Sequence, residues 1–164
     1  MTTVYAVTEL GLTVTQASLV GLAGLTGGIA TIAAAPLHAR YGIRRSLTVC
    51  IAAALAGAVL IAVVPSVLAL TLVALFLVSA GVSSEQVSTQ AVALASVDPS
   101  ENGRANTVYM AATFLGGSLA TAIGSQLFLL AGYAAVGVMG AVLVASAASL
   151  ALLAHRRGML SPAT

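Results

Sequence analysis

Glu85 is the acidic side chain that stands apart in this sequence, because long apolar stretches lie on both sides of it. An ionisable group at membrane depth is costly, and it is retained mainly where it handles protons, ions or polar ligands. Gln86 and Gln90 follow it closely enough to lie on neighbouring faces of one helix. We therefore predict that Glu85, Gln86 and Gln90 line a substrate or proton pathway. The alternative is an interfacial Glu85 that reaches water or a neighbouring arginine.

The remaining reactive side chains indicate no further chemistry. His38 and His155 are far apart and predict no metal site, and Cys50 is alone, which favours a packing role over a disulfide. No glycine-rich loop has phosphate-binding spacing, and neither a catalytic triad nor a basic and aromatic stretch is present. We expect no enzyme activity, no cofactor and no nucleic-acid partner.

The elements that must position Glu85 are set by an extreme composition. Charged residues make up 6% of the 164 residues and hydrophobic residues 60%, and the mean hydropathy is +1.10. A soluble domain averages about 25% charged residues. The sequence therefore predicts an all-α polytopic transmembrane helical bundle embedded in the lipid bilayer.

Three arginine clusters divide the chain into blocks that can be measured against a membrane. About 20 helical residues cross a hydrocarbon core roughly 30 Å thick. Residues 46–97 and 105–154 carry no arginine and are each long enough for two crossings, with breaks at Val64-Pro65-Ser66 and around Gly132-Tyr133. We predict five spans, which are 17–37, 46–64, 67–92, 103–129 and 133–154.

The predicted domain organisation follows from these spans. Residues 1–16 form an extracytoplasmic tail, 17–157 the five-helix domain and 158–164 a cytoplasmic tail. Because two crossings separate successive arginine clusters, all clusters lie on one side, which the positive-inside rule makes cytoplasmic. The N-terminus is then outside and the C-terminus inside the cell membrane.

Local signals predict where two helices begin. Thr13 and Gln16 have the spacing of a capping box. Asp98 is a candidate N-cap before Pro99 at the first helical position, and Glu101 could reach back to it. Glu101 and Arg104, three residues apart, could also pair on the helix surface.

Small residues recur at four-residue spacing in two predicted spans. Such spacing lets helix backbones approach closely in lipid, so it predicts helix-packing faces. These faces either pack statically or slide during a transport cycle. The candidate helix-packing residues are Gly24, Gly28, Gly116, Ala120 and Gly124.

Residues 35–45, which read APLHARYGIRR, resemble the loop motif of the major facilitator superfamily, roughly G-x-L-x-D-R-x-G-R-R. Ala35, Ala39 and Ile43 depart from the pattern. The residues that form the cytoplasmic loop motif here are Leu37, Arg40, Gly42, Arg44 and Arg45.

A second resemblance follows at residues 97–105, VDPSENGRA, which is similar to the P-x-E-x-x-G-R-A segment entering the eleventh helix of many efflux members. Residues 111–119 continue the likeness. Taken in order, residues 9–157 resemble helices eight to twelve of a twelve-helix transporter. The resemblance implies an incomplete C-terminal lobe, N-terminally truncated, with residues 2–7 as the remnant of a seventh helix.

The resemblance also assigns a role to the loop arginines. In the family, an aspartate and arginines of this motif form a charge network that holds one conformation closed. Arg40 and Arg44 are the matching arginines here, whereas the aspartate position is Ala39, so the usual network cannot form. The alternative is that Arg40, Arg44 and Arg45 anchor the topology at anionic headgroups.

Two functions from different classes follow. The first is transmembrane transport of a small molecule, of the efflux type, as the C-terminal part of a secondary transporter that is not active alone. The second is a small membrane protein that acts by helix–helix assembly without transport. The expected partners are accordingly an N-terminal transporter half or further copies of this chain.

Overall fold

The computed structural model describes residues 2–8, 10–64 and 66–156, except for the side chains of Thr2, of residues 154–156 and of several residues between 21 and 44. Within these ranges the chain is helical or turn, without strand. The helices are α1 (Thr2–Thr8), α2 (Val14–Val63), α3 (Leu68–Ala95) and α4 (Asn102–Arg156), and a 3₁₀ turn (Pro99–Glu101) precedes α4. The all-α fold class is therefore confirmed for the described residues.

Single glycines interrupt the two longest helices. Gly42 in α2 has φ 77° and ψ 158°, and Gly132 in α4 has φ 74° and ψ −173°. This backbone region is essentially restricted to glycine. Each of the two helices is therefore a pair of helical segments, 14–41 and 43–63 in α2 and 102–131 and 133–156 in α4.

The start of α2 confirms its predicted capping box. The Gln16 amide donates to the Thr13 hydroxyl oxygen at 3.3 Å, and the Thr13 amide donates to the Gln16 side-chain oxygen at 3.0 Å. These two bonds satisfy amides that the first helical turn leaves free.

The start of α4 differs from the prediction. Asp98 occupies the N-cap position before Pro99, but its side chain makes no capping hydrogen bond. The Glu101 amide is instead taken by the Asp98 backbone carbonyl oxygen at 2.8 Å, which winds a 3₁₀ turn before the α-helix begins. The predicted side-chain cap was wrong because a backbone bond already uses that amide.

Glycines bring the backbones of antiparallel segments together. A Cβ atom on Gly81 of α3 would lie 2.5 Å from the Cys50 carbonyl oxygen, and one on Gly57 of α2 would lie 2.6 Å from the Ala74 carbonyl oxygen. A Cβ atom on Gly137 of α4 would lie 2.5 Å from the Ala62 amide nitrogen. Residues 43–63 therefore pack on α3 on one side and on 133–156 on another.

Helix α1 packs against the bundle end where α3 begins. Tyr5 is 2% exposed, and its ring stacks on Tyr133 with centroids 4.0 Å apart and planes at 13°. Phe128 meets Tyr133 edge-on at 6.3 Å, and Ile61 joins the same apolar cluster. Residues 2–7, predicted to be a helix remnant in a tail, thus belong to a packed helix.

Three described helices are long and apolar enough to cross a membrane, which are Arg45–Val63, Leu68–Ala95 and Pro99–Leu153. In the most apolar window of Pro99–Leu153, only 11% of the residues are buried. A straight helix of 55 residues would extend about 80 Å, more than twice a hydrocarbon core of roughly 30 Å. The break at Gly132 divides this segment into two helices, and the second packs on residues 43–63.

Candidate functional site

Helix α3 carries polar side chains toward two neighbours, which makes it the centre of the candidate site. Toward α2 it buries Thr71, Ser84 and Ser88 at helical spacing, together with Gly81. Ser88 satisfies its hydroxyl within the helix by donating to the Ser84 carbonyl oxygen at 2.7 Å. Such back-bonding lets a hydroxyl occupy an apolar interface without leaving a donor unpaired.

Glu85 is half-buried between the two polar faces of α3. On the α2 side, the buried Cys50 lies near Ser46 and Ser84, and the charge of Glu85 acts on its thiol. Among the side chains that the structure describes, no basic group pairs with Glu85. The half-buried carboxyl group thus has no compensating cation in these parts of the chain.

The other polar face of α3 joins α4 through a group that we name the polar clamp, which consists of Gln86, Thr89, Gln90, Asn106 and Tyr109. The Tyr109 hydroxyl donates to the Gln86 carbonyl oxygen at 2.8 Å and lies 2.7 Å from the Thr89 hydroxyl. The Gln90 side-chain amide donates to the Asn106 side-chain oxygen at 2.6 Å. Two helices that share few other contacts are therefore fastened by side-chain hydrogen bonds.

Of the three residues that the sequence predicted to act together, Gln86 and Gln90 belong to the polar clamp and Glu85 does not. Gln90 has its side-chain amide committed to α4, and the backbone of Gln86 accepts from Tyr109. Glu85 lies on the side nearer Cys50. Their shared role in a pathway remains a prediction, and the structure offers Glu85 rather than Gln90 as the uncommitted group.

Sequence reasoning missed Asn106 and Tyr109. The available signal was their spacing of three residues, which puts both on one helix face opposite a glutamine-rich stretch. Cys50 was read as packing alone, and its burial agrees with that role.

The loop-motif residues lie at the Gly42 break of α2 rather than in an extended loop. Arg40 and Arg45 are exposed, and the Arg40 guanidinium lies 5.6 Å from the centre of the Tyr41 ring. The side chains of Leu37 and Arg44 lie outside the described part of the chain. A cation over an aromatic ring is one stabilising contact that needs no aspartate.

The predicted helix-packing residues fall in two groups. The surroundings of Gly24 and Gly28 lie outside the described part. Gly116 faces open space, Ala120 is half-buried and Gly124 is buried. Packing of Gly116 against another helix stays a prediction, since no described residue covers it.

The exposed face beside Gly116 is polar as well as small. An open groove of about 560 Å³ lies along Thr113, Phe114, Gly117, Ser118, Thr121 and Ala122. A lipid-facing helix surface is normally apolar, so hydroxyl-bearing residues here favour a partner helix or a water-filled path.

Together these features define an α-helical integral membrane protein with polar groups inside its bundle. The described side chains contain no group of three or more His, Cys, Asp or Glu that could hold a metal ion; those of His38 and His155 lie outside them.

The family model described as Major Facilitator Superfamily matches residues 1–162. The chain therefore belongs to the major facilitator superfamily, a family of membrane transporters that are generally non-enzymatic. No curated protein and no solved structure matches the chain significantly.

Proposed function

We propose that this chain forms the part of a small-molecule efflux transporter that corresponds to helices eight to twelve of the family. It works in the cell membrane by alternating access, against a transporter half that completes the substrate path between two lobes. Family membership supports transport as the activity. The resemblance of residues 97–105 to efflux members supports the direction.

The observation that carries this proposal is the half-buried Glu85 in the membrane-spanning segment Leu68–Ala95. A charged carboxylate at that depth without a described cation is costly. Proton or cationic-substrate binding would neutralise it, which couples its charge state to the conformation of the bundle. Glu85 is thus proposed as the group that binds the proton or cation during transport.

Five crossings fit the helical segments 14–41, 43–63, 68–95, 102–131 and 133–156. The antiparallel contacts of 43–63 with α3 and of α3 with α4 support a common end of the bundle for Arg45 and Arg104, and Arg40 shortly precedes Arg45 in the chain. Arginine enrichment at one end supports a cytoplasmic assignment for that end and for the C-terminus.

The test replaces Glu85 by Gln at the chromosomal locus, so that any native partner protein remains present. Everted membrane vesicles are energised, and uptake of ethidium as a probe cation is compared with that of vesicles lacking the gene. We expect wild-type vesicles to accumulate more ethidium than vesicles lacking the gene. In Glu85→Gln vesicles this difference should be at least tenfold smaller.

Asp98→Asn is the matched control, because Asp98 is an exposed acid outside the spans with no side-chain cap to lose. It should transport as the wild type does. Equal transport and equal pH dependence in wild type and Glu85→Gln would overturn the role of Glu85. Loss of transport in both variants would show that removal of either acidic side chain impairs transport, which would contradict a specific role of Glu85.

Assembly without transport is the second candidate, and the exposed groove along Gly117, Ser118 and Thr121 favours it. Introducing Ser118→Cys in a Cys50→Ala background gives a single thiol on that face. Oxidative cross-linking in native membranes should yield a homodimer if copies assemble there. A Val138→Cys control, exposed on the second half of α4, should not cross-link; equal yields from both sites would argue against a specific interface.

A further inference from the structure

An open groove of about 390 Å³ lies where α3 ends and α4 begins, apart from Glu85 and the exposed face of α4. Its walls combine two charged side chains with four apolar ones. They are Ala93, Val97, Glu101, Arg104, Ala105 and Val108. Tyr109 also lines the groove, but its hydroxyl already donates to the Gln86 carbonyl oxygen, so the proposed ligand does not bind through it.

The two charges of the groove are available to a ligand. Glu101 and Arg104 are both exposed, and the ion pair expected from their spacing of three residues is absent from the described contacts. An anionic group can therefore meet the guanidinium while a cationic group meets the carboxylate on the same helix turn.

The place of the groove in the membrane selects the class of ligand. Glu101 lies at a helix end, where the spans meet the polar headgroup layer. Val108, which is 63% exposed, continues the apolar wall one turn deeper into the span. A ligand that fits carries opposite charges at the interface and a hydrocarbon chain below them.

We propose that this groove binds a zwitterionic phospholipid with a primary ammonium headgroup, namely phosphatidylethanolamine. The phosphate lies on Arg104, the ammonium group donates hydrogen bonds to Glu101, and an acyl chain follows Ala105 and Val108. The ammonium N–H groups distinguish this lipid from phosphatidylcholine, whose quaternary amine has no donor. The carboxylate of Glu101 disfavours a purely anionic headgroup.

The test measures lipid binding to the purified full chain by native mass spectrometry, with phosphatidylethanolamine, phosphatidylcholine and phosphatidylglycerol of matched acyl chains. The wild type should bind phosphatidylethanolamine most tightly. Arg104→Gln should weaken that binding about fivefold, the factor expected for one basic residue at a lipid headgroup. Arg45→Gln, at an exposed arginine outside the groove, is the matched control and should bind phosphatidylethanolamine as the wild type does, even if it loses affinity for the anionic phosphatidylglycerol.

Glu101→Gln separates headgroup recognition from mere attachment. It should lose the preference for phosphatidylethanolamine over phosphatidylglycerol, whereas Asp98→Asn should keep it. Inorganic phosphate added in excess should not displace the lipid, because the acyl chain contributes to binding; displacement would identify an anion site instead. Equal affinities for all three lipids, or equal losses in Arg104→Gln and Arg45→Gln, would overturn the proposal.

A folding check keeps these results interpretable. Glu101 and Arg104 are exposed and make no described side-chain hydrogen bond, so both variants should retain the wild-type helical circular dichroism and melting profile. Val108→Asp, which puts a charge on the exposed apolar wall, should expel the acyl chain and reduce binding of all three lipids. Unchanged binding by Val108→Asp would also contradict the proposed site.

Discussion

At the scale of single residues, glycines of similar appearance in the sequence have opposite surroundings. A Cβ atom on Gly81 would meet the Cys50 carbonyl oxygen at 2.5 Å and the Ala54 amide nitrogen at 2.7 Å. A Cβ atom on Gly116 would meet nothing within 4 Å. In lipid, helix association depends on close packing rather than on a hydrophobic force. The contact of α2 with α3 therefore depends on Gly81.

Gly81→Ala should destabilise the bundle by about 1–3 kcal/mol, the usual cost of an extra carbon in a packed interface. The atoms in the way belong to the α2 backbone, so a side-chain movement cannot relieve the contact. Unfolding by sodium dodecyl sulfate in mixed micelles measures the change. Gly140→Ala is the control, since its Cβ atom would lie 3.5 Å from the Ala58 Cβ atom, an ordinary contact. A Gly81→Ala protein as stable as Gly140→Ala would contradict this packing.

Tyr109→Phe should loosen the polar clamp without changing the size of the ring. The variant loses the hydroxyl that bonds the Gln86 carbonyl oxygen and contacts Thr89. Hydrogen bonds between membrane helices contribute about 0.6 kcal/mol on average, so we expect a loss of roughly 1 kcal/mol for the two contacts. A double-mutant cycle with Thr89→Val should show coupling between the two positions.

The control for that cycle is Tyr41→Phe, because Tyr41 is 48% exposed. It should leave the unfolding free energy unchanged and show no coupling to Thr89→Val. Additive effects of Tyr109→Phe and Thr89→Val would mean that the two hydroxyls do not interact.

At the scale of elements, α2 and α4 are each interrupted at a single glycine instead of at a loop. Gly42 and Gly132 both have positive φ with extended ψ, a conformation that other residues avoid. The neighbours of each glycine continue as helix directly on both sides. The direction of the second segment is consequently set by one pair of backbone angles.

Gly132→Ala should cost about 1–3 kcal/mol, because the substitution forces a Cβ atom into a strained backbone region. It should also weaken the Tyr5–Tyr133 stack, which lies directly after the break. Tyrosine fluorescence and thermal unfolding in detergent report both effects. Gly116→Ala lies within a regular helix in open space and should be neutral or stabilising. A Gly132→Ala protein as stable as the wild type would show that the break does not need glycine.

Much of this element structure could be predicted from apolar length and punctuation. The sequence places breaks at Val64-Pro65-Ser66 and near Gly132, and α2 ends at Val63 while Gly132 is non-helical. The absence of a loop at residues 38–45 could not be foreseen, because the backbone angles of Gly42 alone interrupt the helix there. The Tyr5–Tyr133 stack and the Thr89–Tyr109 contact join distant positions, and one sequence contains no record of such pairing.

At the scale of the whole molecule, the two ends of the bundle are built differently. One end holds the stacked Tyr5 and Tyr133 rings, close to the start of α3. The other holds the Gly42 break, the 3₁₀ turn Pro99–Glu101 and the exposed arginines. Apolar faces cover the middle, where large side chains such as Leu119, 64% exposed, have only lipid or a partner to contact.

Five crossings make a definite prediction about which turns meet water on which side. Single cysteines at exposed positions in a Cys50→Ala background report it in intact cells through a membrane-impermeant maleimide. Thr15→Cys, Ser66→Cys and Ala131→Cys should be labelled from outside, whereas Ser100→Cys should react only after permeabilisation. Ala131→Cys decides the count, because a single crossing by Pro99–Leu153 would bury residue 131 in lipid and leave it unlabelled. Labelling of Ser100→Cys in intact cells would instead reverse the orientation that the arginines favour.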